Sequence, residues 1–221
     1  MESQVRGGTR WKRFALVMVP SVAATAAIGI GLAQGALAAS FSVSGVDFKV
    51  TAKQLDGHNL LQYGSVATGK DLEGNKAAHP VVVSGFSDAK ITKMCQSVVQ
   101  PLPFGLGDVT MTLKAGQDES KPVEAKNIYL DVSQLDTDAT FENLDIGVAA
   151  GEGKGTTRIQ NGADGKTPAG NPNGFAQRAD RAVLDNVEQR AWATTAGSFK
   201  LSGLSLRLSM GKNECKAWDK Y

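Results

Sequence analysis

Apolar residues in this chain recur at every second position, in short runs punctuated by Gly, Pro, Asp and Asn. Phe41 and Val43 alternate, and after Gly45 the parity switches to Val46, Phe48, Val50 and Ala52. Val81 to Val83 forms a short continuous run. Val109, Met111 and Leu113 alternate, as do Ile128, Leu130 and Val132, then Leu144, Ile146 and Val148. Leu204, Leu206, Leu208 and Met210 close the series. A period of two places one side-chain set on one face of a strand. The richness in Val, Ile and Thr agrees with extended backbone. The pattern predicts about eight to ten strands.

A second regularity restricts how those strands run. Ala89 to Met94, Ala139 to Leu144, Ala182 to Val187 and Phe199 to Leu204 share a step of apolar, two intervening residues, apolar. Such a step shifts the inward face by one residue, which a strand accommodates only through a bulge or bend. The second intervening residue is Lys93, Asn143, Asn186 or Gly203. Asn and Gly tolerate the left-handed conformation that such a bend needs. The repeats are unevenly spaced, which disfavours a regular β-solenoid. The expected fold is all-β, one domain built as a bent-strand β-sandwich, jelly roll or open β-groove.

Gly64 to Pro80 and Gly151 to Gly174 read as loops from their Gly, Asp, Asn and Pro content. The second is a long Gly-rich surface loop without the spacing of a phosphate cradle. Phe175 to Arg181 reads as a short helix leading into a strand.

The N-terminus reads as an address rather than part of the fold. Arg6, Arg10, Lys12 and Arg13 precede an uncharged run, Phe14 to Ala39. Ala36-Leu37-Ala38 fits a signal-peptidase site, so residues 1–38 are expected to be a signal peptide, or an uncleaved anchor. The domain is then 39–221, secreted or held in the cell envelope at the outer face of the cytoplasmic membrane. The whole chain carries a formal charge of +2. Without the leader, 20 basic and 21 acidic residues remain. That balance excludes an electrostatic nucleic-acid partner. The two cysteines, Cys95 and Cys215, are expected to form one disulfide outside the cell.

Catalytic signals are sparse. A G-x-S-x-G nucleophile elbow is absent. His58 and His79 are the histidines. His58 reads as part of a turn with Asp56, Gly57 and Asn59. The nearest approach to a nucleophile and base is Ser84 with His79, provided the loop carrying His79 folds back. The carboxylates Asp131, Asp136, Asp138, Glu142 and Asp145 read as a solvated turn, with a calcium site or acid–base work as sharper readings. They lack the spaced Asp-x-Asp-x-Asp-Gly pattern, and no metal or other cofactor is expected. Trp192 is expected to pack in the core.

Phe41 to Gly45, Ile91 to Val99, Ala139 to Ala150, Ala191 to Leu204 and the leader from Trp11 onward together resemble a family of exported actinobacterial (streptomycete) proteins, largely of unknown function. Some members of that family are labelled cholesterol esterase. The resemblance implies a secreted protein that handles lipid or sterol ester, with no nucleophile or triad to transfer. Two function classes follow. One is a non-enzymatic envelope protein contacting lipid or another envelope component. The other is a carboxylic ester hydrolase acting on sterol esters.

Overall fold

The computed structural model describes residues 43–155, 157–162 and 167–217. The export segment and its cleavage point lie outside the described residues. Among these residues eight strands are present: β1 Phe48–Lys70, β2 Lys76–Thr92, β3 Met94–Pro101, β4 Asp108–Ala115, β5 Val123–Glu142, β6 Asp145–Ala149, β7 Phe175–Lys200 and β8 Ser205–Met210. They form one antiparallel sheet in the order β6-β7-β5-β2-β1-β3-β4-β8. The all-β expectation holds, and no α-helix occurs among the described residues. β7 also pairs with β1, so β1, β2, β5 and β7 close a circuit. β3, β4 and β8 continue beyond it as a three-stranded extension.

The bends fall where the sequence step places them. Lys93 (φ 49°), Asn143 (φ 53°), Asn186 (φ 54°) and Gly203 (φ 64°) all adopt the left-handed conformation. At Lys93 the bend divides β2 from β3, yet both run along β1 in one register: Gln54 faces Thr92 and Thr51 faces Cys95. At Asn143 it divides β5 from β6 in the same way along β7, where Glu142 faces Arg181 and Asp145 faces Arg178. Asn186 lies in the β7 stretch opposite the register shift between Asp136 and Asp138. Asn59 (φ 52°) bends β1 likewise.

The curvature of β1 follows from chain geometry. Val43 pairs with Gly69 beside the far end of β1. Five Cα steps separate Val43 from Phe48, a reach of at most ~18 Å. A straight strand from Phe48 to Gly69 would span ~69 Å. β1 therefore doubles back on itself.

Bent strands give two packed layers. Val50, Leu55, Leu60, Phe86, Ile91, Val123, Ile128 and Leu184 belong to the larger core. Leu61, Tyr63, Ala67, Val81, Val83 and Ala176 form a second. Residues of the 151–174 stretch lie against that second layer. The Tyr63 hydroxyl accepts the Gln160 amide (3.0 Å) and the Tyr129 hydroxyl the Arg158 amide (3.3 Å).

Three local expectations are corrected. Phe175 to Arg181 is strand, the start of the 26-residue β7. Its buried residues Ala176, Ala179, Ala182, Leu184 and Val187 include several steps of three, because the strand is bent, and such steps imitate a helical face. Gly64 to Pro80 is mostly β1 and β2, paired from Ser65 and Val81 to Lys70 and Lys76. Backbone pairing holds there with little burial, which composition does not reveal. His58 lies within β1 rather than in a turn, because Asn59 bends the strand without ending it.

Candidate functional site

Ser84 and His79 sit on the same strand, β2, five residues apart, a separation of ~17 Å in extended backbone. Odd spacing sends their side chains to opposite faces. Ser84 is buried and its hydroxyl accepts from Gln62 Nε2 (2.8 Å). His79 stacks on half-buried Trp192, with ring centroids 3.5 Å apart. The structure does not bring the two together.

The five carboxylates are dispersed along strands rather than gathered in a turn. Asp136 accepts from Gln134 and Asp138 from Asn186. Glu142 and Asp56 share Arg181. Asp145 binds Arg178 (3.0 Å) and lies 3.7 Å from Lys154. Among the described residues no three metal-binding side chains converge. Arg181 holds the Asp56 carboxyl below its ordinary range.

Asp131 differs from the rest. It lines a cleft of about 60 Å³ with Ser65, Thr68, Val83, Gln160 and Ala169. Burial pushes its pKa up to about 6. A carboxyl with a folded pKa above its unfolded value favours the folded state most while protonated. Its contribution is present below pH ~4 and is lost as pH rises through about 6. Asp131→Asn should therefore raise stability at pH 7 by on the order of 1–2 kcal/mol, allowing for partial solvent access, and change little at pH 3.5. Urea midpoints at the two pH values check this. An unchanged midpoint at pH 7 would remove Asp131 as a buried charge.

The most unusual surface lies on the extension. Cross-strand pairs Val109–Met210, Met111–Leu208 and Leu113–Leu206 set apolar residues side by side on β4 and β8, with Val98 of β3 beside Met111. Leu206, Leu208 and Met210 are each more than 60% exposed. The β3–β4 loop adds Leu106 and Phe104, the latter 96% exposed. The opposite face is polar, with exposed Lys114 and Arg207 at one side and Thr110, Thr112 and Ser97 at the part that is covered. Thr110 and Ser97 are fully buried there. Thr110 Oγ1 donates to the Gly211 carbonyl (2.6 Å) and accepts the Asn213 amide (2.9 Å). Ser97 Oγ accepts the Cys215 amide (2.9 Å). The Cys95–Cys215 disulfide fastens the C-terminal tail over that face. Ordinarily a sheet buries its apolar face and wets its polar one. Here the extension does the reverse, and a contiguous exposed apolar patch marks an interaction surface.

A second apolar feature is small. A pocket of about 30 Å³ opens between Val50, Met94, Ile128 and Phe199. That is far below the several hundred Å³ of a cleft that encloses a small-molecule ligand.

The architecture defines a disulfide-stapled, all-β domain with one uncovered apolar sheet face. The chain belongs to a family of unknown function, DUF6230, whose model matches residues 44–216. Comparison with curated proteins and with solved structures gave no match.

Proposed function

We propose that this is an exported, non-enzymatic protein of the cell envelope that contacts lipid through the apolar face of β4 and β8. The observation that carries the reading is the inversion of the extension, in which the polar face is covered and the apolar face exposed. The disulfide agrees with residence in an oxidising compartment. Among the described residues no helix is long and apolar enough to cross a membrane. The 30 Å³ pocket favours contact with a lipid surface over engulfment of a sterol. Ester hydrolysis has no comparable support, since Ser84 is buried and His79 is engaged with Trp192.

The test is co-sedimentation of the secreted form with vesicles of mixed phosphatidylcholine and phosphatidylglycerol. A Leu206→Ser/Leu208→Ser variant alters only exposed positions and should keep the thermal transition while binding at least tenfold more weakly. Equal binding by the variant would overturn the role of this face. Sustained turnover of cholesteryl oleate, abolished by Ser84→Ala, would overturn the non-enzymatic reading.

A further inference from the structure

We infer that the lipid surface is an anionic phospholipid bilayer, entered by the β3–β4 loop with Phe104 and Leu106 at the leading edge. This rests on the lipid-contact reading above and names its partner. Two independent features carry it, the shape of the loop and the distribution of charge.

The loop Pro101 to Asp108 reads Pro-Leu-Pro-Phe-Gly-Leu-Gly-Asp. None of the residues in its single 3-10 turn is buried. Leu102 donates its amide to the Gly107 carbonyl (2.8 Å), closing the base. Gly105 (φ 70°) and Gly107 (φ 89°) supply left-handed turns. Phe104 adopts φ 61°, a conformation unfavourable for an aromatic residue. Folding gains nothing from this arrangement, because the ring packs on almost nothing. A closed loop that holds an aromatic ring in solvent suits insertion into an apolar medium. Met210 pairs with Val109, the second residue of β4, so the loop and the β8 face form one end of the sheet.

Charge around this end is sorted. The extension and its tail, residues 94–116 and 201–217, contain Lys114, Arg207, Lys212 and Lys216 against Asp108 and Glu214. Both acids are engaged. Glu214 meets Arg190 through both oxygens at 3.0 Å, and Asp108 lies 3.8 Å from Lys212. Lys114, Arg207 and Lys216 are exposed and have no acidic partner among the described residues. The other described residues carry 17 acids and 14 bases. The apolar end is therefore cationic and the remainder is anionic. An anionic surface attracts the first and repels the second, which turns the extension toward that surface. Arg207 and Lys114 stand on the polar face, across the sheet from Leu206 and Leu208, so their pull on an anionic surface acts through the thickness of one sheet, within a Debye length, rather than beside the apolar residues.

The experiment compares secreted protein on pure phosphatidylcholine vesicles with vesicles containing 30% phosphatidylglycerol. Binding to the anionic vesicles should be at least tenfold tighter and should weaken as NaCl rises from 50 to 500 mM. Arg207→Gln/Lys212→Gln should remove most of the preference, at roughly fivefold per cation. Phe104→Ser should weaken binding to both vesicle types about tenfold and leave the anionic preference intact. Equal, salt-insensitive binding to both vesicles would overturn the anionic partner and leave the lipid reading standing. Binding to neither would sink both. A dimer in sedimentation velocity that Leu208→Ser makes monomeric, without vesicle binding, would assign the face to a second copy of the chain instead.

Discussion

Breaking the Cys95–Cys215 disulfide should lower the melting temperature by roughly 10–20 °C. The bond spans 120 residues. A closed loop of that length restricts the unfolded chain by ~5 kcal/mol in the chain-entropy account. Its local effect is equally distinct. The tail is held to β3 and β4 by Ser97 and Thr110 and to β7 by the Glu214–Arg190 pair, and without the bond these contacts alone must keep it in place. Calorimetry with and without dithiothreitol measures the shift, and a Cys95→Ser/Cys215→Ser variant separates it from other effects of reductant. Hydrogen exchange should then accelerate first at residues 211–217, with the β1-β2-β5-β7 circuit losing protection only near the global transition. Two thiols titrating in unreduced, denatured protein would eliminate the bond altogether.

Much of this was legible from residue patterns because backbone geometry permits few solutions. A strand that must bury Ile91 and Met94, or Leu184 and Val187, has to change its inward face between them. Asn, Gly or a tolerated Lys at the bend is the local means, and all four flagged positions bend with positive φ. The same device defeated the pattern elsewhere. Ala176, Ala179 and Ala182 are spaced like a helical face, and only pairing with β1 shows them to be strand. Closure of the circuit by β7 on β1 is a long-range pairing that leaves no local mark in the sequence.

The candidate surface was half legible. Leu204, Leu206, Leu208 and Met210 show that β8 has one apolar face. Alternation alone says nothing about whether that face is covered. A usable signal was present nonetheless. Cys95 and Ser97 share one face of β3, and Val98 belongs to the other. A disulfide from Cys95 to Cys215 must bring the tail to the Ser97 side, which leaves the Val98, Met111 and Leu208 side without that cover. Ser84 and His79 do not form a site for an equally simple reason. Their meeting requires the segment carrying His79 to fold back as a loop, and that segment is part of the continuous strand β2, which holds them apart.

The centre of the larger core supplies the other large effect. Phe86 is 1% exposed and is among the largest fully buried side chains. Its ring lies against the bare Cα of Gly57 in β1, where an added Cβ would stand 2.4 Å from Cδ1 and 2.8 Å from Cε1. Phe86→Ala should cost about 3–5 kcal/mol, the usual range for emptying an aromatic site in a packed core. Gly57→Ala should cost about 1–3 kcal/mol by overpacking, because the ring is enclosed and cannot swing aside. The two residues occupy one space, so the effects should not add. In a Phe86→Ala/Gly57→Ala variant the new methyl group enters room vacated by the ring, and the double change should be about 1–2 kcal/mol milder than the sum of the singles. Gly64→Ala serves as the control, since a Cβ there meets nothing within 4 Å, and its unfolding free energy from urea titration should stay within about 0.5 kcal/mol of the parent. Strict additivity in the Gly57 and Phe86 cycle would mean that the ring does not rest on Gly57, and the packing of the closed circuit would have to be redrawn.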